Sequence, residues 1–134
     1  MSFELREHTA DIAVEATGKT LSETFENVAN GFSVAHCDSI LDAGVRFSMV
    51  VEAESTEALL FDYLDELVYQ RDVRGVLPVD HEVSIDPSGL RVEASARGVP
   101  FEVIDAREIK AVTYSDMVLE ETESGWRAYV VFDV

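Results

Sequence analysis

Asp11 and Asp133 stand near opposite ends of the chain, and each is out of step with an apolar strand face. Ile12, Val14 and Ala16 alternate with polar residues, so Asp11 points away from their side. Trp126, Ala128, Val130 and Phe132 alternate in the same way, and Asp133 points away from theirs. If the first and last strands pair antiparallel, the end of one lies beside the start of the other and the two carboxylates meet. Val134, the last residue, adds a carbonyl oxygen and an α-carboxylate. Three clustered oxygen ligands suit a hard cation such as calcium or magnesium, and without a cation such a concentration of negative charge is costly. Read alone, His8-Thr9-Ala10-Asp11 is equally a turn whose carboxylate accepts local backbone N–H groups.

Other chemistry is thinly represented. No phosphate-binding glycine loop, H-E-x-x-H or G-x-S-x-G is present. His8, His36 and His81 are far apart and share no ligand spacing, which argues against zinc. His36-Cys37-Asp38 offers an imidazole beside a thiol, but a catalytic pair usually comes from separate elements. Cys37 is the lone cysteine, so no intramolecular disulfide is possible.

The elements that must position these residues follow from periodicity. Phe3 and Leu5, then Ile12, Val14 and Ala16, read as two short strands. Thr20-Leu21-Ser22-Glu23 is a capping box. Leu21, Phe25, Val28, Ala29 and Phe32 form one apolar helix face, weakened late by Gly31 and ending near Ala35. Val45 to Ala53 alternates as a strand. Ser55 or Thr56 opens a second helix with Leu59, Leu60, Tyr63, Leu64, Leu67 and Val68 on one face, stopping before Gly75 and Pro78. Val83–Ile85 and Leu90–Ala96 flank an Asp86-Pro87-Ser88-Gly89 turn and form a hairpin. A strand covers about 108–114, with a continuation through Met117 and Leu119, and the last runs from Trp126 to Val134. The expected fold is α+β: a two-layer sandwich with a mixed or antiparallel sheet and both helices on one face. A chain of 134 residues fits a single domain over 1–134.

Charge constrains partners. The chain has 27 acidic and 10 basic residues, a net charge of −17, and its only lysines are Lys19 and Lys110. Such a surface repels itself unless salt screens it, which points to a salt-rich cytoplasm, as in a halophilic archaeon. It is poorly suited to bare phosphate backbone, where affinity comes from basic side chains releasing counterions. Nothing resembles a signal peptide or a membrane span, so the expected location is cytoplasmic.

Five blocks, in order along nearly the whole chain, carry a resemblance. His8-Thr9-Ala10-Asp11-Ile12 resembles the H-T-A-D-[IV] signature of the archease family. Thr20 to Asn27 is similar to its "TLEEAFEN" helix, with Thr24 in place of alanine. Leu59 to Leu67 resembles "LLFxFLDE", Lys110 to Ser115 resembles "KAVTY[HS]", and Asp133-Val134 the closing "D-[IV]". The resemblance implies an archease-like fold and a non-catalytic activator of the RtcB-type RNA ligase that joins tRNA halves. It implies promotion of ligase guanylylation over multiple turnovers, with tRNA reached only through the ligase. The implied metal ligands are Asp11, Asp133 and Val134, and the implied functional lysine is Lys110. On residue chemistry alone, Lys110 is equally a solvent-facing strand residue. His8, Asp65 and Glu66 join the expected functional surface. Two other classes remain open: a general chaperone or modulator of RNA- or DNA-modifying enzymes, and a small metal-dependent hydrolase.

Overall fold

The computed structural model describes residues 3–8, 11–37, 41–104 and 106–134, with backbone only at 6–8. Among the described residues, seven strands and two α-helices run in the order β1 (Phe3–His8), β2 (Asp11–Gly18), α1 (Leu21–His36), β3 (Val45–Glu52), α2 (Thr56–Arg74), β4 (Val76–Ile85), β5 (Arg91–Pro100), β6 (Ala111–Thr122) and β7 (Gly125–Asp133). The class is α+β, and every strand pair is antiparallel. The strands divide into two sheets rather than one: β1-β2-β7-β6 and β3-β5-β4. The second strand, β2, pairs with the last, and β1 takes the edge. Both helices touch both sheets. One cluster from α1, α2, β2, β7, β3 and β5 fills the space between them.

Local chemistry sets the helix ends. Thr20 accepts the Glu23 N–H at 3.1 Å, and the Glu23 carboxylate reaches back to the Lys19 N–H at 3.3 Å. The reciprocal half of the capping box therefore lands one residue earlier than the motif suggests. Ser55 caps α2 through the Ala58 N–H at 3.1 Å. Gly75, at φ 65°, ends it in the left-handed conformation that glycine adopts without a Cβ clash. Gly31 does more than weaken α1. A Cβ there would lie 2.5 Å from a Val14 methyl, so glycine lets the helix approach β2 closely. The approach seats Phe32 against Phe132, with ring centroids 5.5 Å apart.

Tyr63 lies at the centre of this core, fully buried, stacked near Phe25 at 6.1 Å. Its hydroxyl has no hydrogen-bond partner among the described residues, and burial raises its pKa above the usual phenol value. A buried unsatisfied hydroxyl costs about 1–3 kcal/mol. Tyr63→Phe removes it without changing the ring. The expected result is a gain of about 1 kcal/mol or more by urea unfolding, and a loss of stability would overturn this account.

Candidate functional site

The sheet register brings the two acids together. Asp11 opens β2 and faces Asp133, which closes β7. Directly opposite residues of an antiparallel pair project to the same face, with Cβ atoms about 4.5–5.5 Å apart. The rung continues outward in both directions. His8 pairs with Asp11 on β1, and Ala111 pairs with Asp133 on β6. The backbone thus lines up His8, Asp11, Asp133 and Ala111 across four strands. Thr9 and Ala10 lie outside the described residues, as does the His8 side chain. The next rung, Ile12, Phe132 and Val112, faces the core and is buried.

One step further along the outer face, Ala13 and Val131 are buried as well. The carboxylate pair therefore borders an apolar step, where water screens less. Like charges directly opposite on a sheet repel, and a divalent cation between them would remove that penalty. Asp133 and Val134 are exposed, and Asp11 is half-buried. Among the described residues, no three His, Cys, Asp or Glu side chains gather closely enough to hold a metal. The expected ligand set is different in kind: two carboxylates and an oxygen of Val134, all hard donors. On that chemistry the residues fit a hard cation and do not fit a zinc centre.

Lys110 is exposed and sits immediately before the rung, with its N–H donating to the Asp133 carbonyl at 2.8 Å. Asp65 and Glu66 are not joined to it. Asp65 is exposed on α2, and Glu66 accepts from Gln70 on the same helix at 2.6 Å. Among the described residues, no hydrogen bond or ion pair links either acid to Asp11, Asp133 or Lys110.

The two buried histidines belong to separate places. His36 is engaged at both ring nitrogens: Nδ1–H donates to the Phe32 carbonyl at 2.9 Å, and Nε2 accepts from Arg71 at 3.0 Å. No nitrogen is left to activate the Cys37 thiol, and Asp38 lies outside the described residues. Burial, more than anything else, lowers the His36 pKa to about 4. His81 on β4 meets Ser33 of α1 at 2.7 Å, and burial lowers its pKa to about 3. Neither the Ser33–His81 pair nor the stacking of Phe61 on Tyr114, with centroids 3.9 Å apart, was expected from sequence. Each joins elements distant along the chain, and no local spacing signals it. No helix among the described residues is long and apolar enough to cross a membrane.

Comparison with known proteins gives this arrangement its kinship. The model of the Archease protein family (MTH1598/TM1083) matches residues 3–134. The protein archease of Thermococcus gammatolerans is 39% identical, with 98% of each chain covered. That of Pyrococcus furiosus is 35% identical at the same coverage. The solution structure of Methanobacterium thermoautotrophicum protein 1598 superposes with a TM-score of 0.86 at 30% identity, covering 99% of both chains. The crystal structure of an archease from Thermotoga maritima, described as a possible chaperone, gives 0.70 at 25% identity, covering 98% of this chain and 96% of that one. With a family match from end to end and relatives above the thirty-percent level, the chain belongs to the archease family.

Proposed function

We propose that this protein is a non-catalytic activator of an RtcB-type RNA ligase, acting through a divalent cation, calcium or magnesium, held by Asp11, Asp133 and Val134. The observation that carries the reading is the Asp11–Asp133 rung, with the exposed Lys110 tied to it through the Asp133 carbonyl. When bound, the cation would neutralise developing phosphate charge during transfer of the guanylyl group. The chain's own residues have simpler tasks. The β2–β7 pairing sets Asp11 opposite Asp133, with Asp133 exposed and Asp11 half-buried beside it. Lys110 supplies a compact positive charge suited to meeting a phosphate or carboxylate. The net charge of −17 disfavours direct contact with the RNA backbone, so tRNA is reached through the ligase.

The test is guanylylation of limiting ligase with and without this protein. Wild type accelerates turnover, and Asp133→Ala removes most of the acceleration, by about tenfold or more, consistent with the loss of a charged ligand. Equal acceleration by both sinks the metal-tip mechanism. The Thermotoga relative's description as a possible chaperone supports a second reading. A general chaperone would suppress aggregation of unrelated proteins, and chelator would not change that.

A further inference from the structure

An open sheet edge is a template for another strand unless something blunts it. The edges among the described residues are β1 and β6 in one sheet and β3 and β4 in the other. β4 is blunted by Pro78 and by its bulge between Val79 and Glu82, with Asp80 at φ 50°. β6 is blunted by its bulge between Thr113 and Val118, with Asp116 at φ 55°. β1 spans only six residues. β3 spans eight, in unbroken register with β5, and contains neither proline nor lysine. Its described flanks turn toward β5, away from the edge. Arg97 of β5 holds the carbonyls of Leu41 and Ala43, and the Ala53 N–H donates to the Leu90 carbonyl at 3.0 Å.

That last bond fixes which backbone groups are free. Ala53 lies opposite Leu90 in the register that sets Glu52 opposite Arg91. Opposed residues of an antiparallel pair alternate between bonded and non-bonded. Val45, Phe47, Met49 and Val51 therefore bond to β5, whereas Arg46, Ser48, Val50 and Glu52 aim their N–H and C=O groups at the open edge. The Arg91 carbonyl agrees, since it accepts from Asp86 on the far side of β5 at 3.1 Å.

The side chains of this edge complement a copy of themselves. An antiparallel pairing centred on Met49 sets Arg46 opposite the second copy's Glu52, and Ser48 opposite its Val50, twice each by symmetry. All four are residues whose backbone groups are free. Centring on Ser48 sets Arg46 against Val50 and leaves Glu52 past the start of the strand. Centring on Val50 sets Arg46 against Glu54, past its end. Within one chain Arg46 lies opposite Arg97, a like charge, and its acid is the exposed Glu82 at 3.6 Å. Glu52 pairs with Arg91. Joining two edges about Met49 would place each Glu52 between Arg91 and the other copy's Arg46, so that each arginine of the outer rung gains a carboxylate. Opposite charges across strands stabilise a pair, and like charges destabilise it.

We propose that two copies of this chain associate through β3, antiparallel about a two-fold axis at Met49, joining two three-stranded sheets into one of six. The edge lies in the other sheet from Asp11 and Asp133, so the inference stands apart from the ligase reading.

The test is sedimentation of the whole chain over a range of concentrations in about 1 M salt, where repulsion between two acidic copies is screened. A concentration-dependent shift from one copy to two is expected. Arg46→Glu and Glu52→Arg each set like charges across both symmetric pairs and should weaken association about tenfold or more. Mixed together, the two variants match again and should associate as the wild type does. Ser48→Pro removes an N–H that β5 does not use, so it should abolish association while circular dichroism stays unchanged. If that variant does not fold, the charge exchange carries the test. Amide exchange gives a second readout: protection should rise with concentration at Arg46, Ser48, Val50 and Glu52 and not at the residues between them. A single copy at every concentration overturns the proposal and leaves the edge to a strand of another protein. A dimer that survives Ser48→Pro and both charge reversals overturns it as well.

Discussion

Between pH 7 and pH 5 in about 1 M salt, this protein is expected to lose roughly 4 kcal/mol of stability, a fall of at least 10 °C in Tm. His36 and His81 are the cause. Burial holds their folded pKa values at about 4 and about 3, against 6.5 when free. Each is neutral in the fold and binds a proton readily only when unfolded. A depressed base contributes its stability in full above pH 6.5, and that contribution is lost as pH falls toward the folded value. From 6.5 down to 5 the loss is governed by the unfolded titration alone, at about 1.4 kcal/mol per pH unit for each ring. Salt at that concentration screens most of the repulsion across the acidic surface, so its neutralisation offsets little of the loss. Urea unfolding at intervals across the range measures it. His36→Gln, whose amide oxygen can still accept from Arg71, should roughly halve the slope. A flat profile from pH 7 to pH 5 would falsify the assignment of both rings as buried and neutral.

These histidines also mark where sequence reading stopped. Alternation in Ile12–Val14–Ala16 and in Ala128–Val130–Phe132 places both strands correctly face to face, because a strand buried on one side shows its period directly. The same alternation was enough to put Asp11 and Asp133 on the outer side. The pairing of β2 with β7 then needed only that the two runs be neighbours. Helix ends were legible for a similar reason: Thr20, Ser55 and Gly75 act on backbone groups within four residues. The helix α2 stops before Gly75 as its spacing predicts, and Pro78, which cannot extend it, lies inside β4, opposite Gly98. That strand is a sheet edge, where a missing N–H is tolerated. The bulge in β6 between Thr113 and Val118 breaks the period and blurred that strand. The division into two sheets depends on which strands meet across the core, and no local pattern carries that. The resemblance marks Lys110 as functional, and its place beside the rung is visible only in the structure, since nothing in its spacing ties it to Asp133.

Arg71 joins the core to that rung, and its loss is expected to be severe. Arg71 is 7% exposed. Its Nη1 donates to the Ile109 carbonyl and to His36 Nε2 at 3.0 Å, while Nε pairs with Asp72 at 2.9 Å. Replacing a buried ion pair by apolar groups is often neutral when both partners go together. Here both acceptors stay behind, each costing about 1–3 kcal/mol once unpaired. Arg71→Met keeps most of the aliphatic stem and isolates this effect, with an expected loss of about 2–5 kcal/mol against a typical total of 5–15. Ile109 immediately precedes Lys110, whose N–H closes on the Asp133 carbonyl. Releasing Ile109 should therefore loosen the end of the rung as well as the core. Amide exchange at Lys110 reads this directly and should accelerate by at least tenfold in Arg71→Met, at a temperature where the variant is still folded. A variant that unfolds at the wild-type urea concentration, with unchanged exchange at Lys110, would show that Arg71 is only packing and that the tip is held by β2–β7 pairing alone.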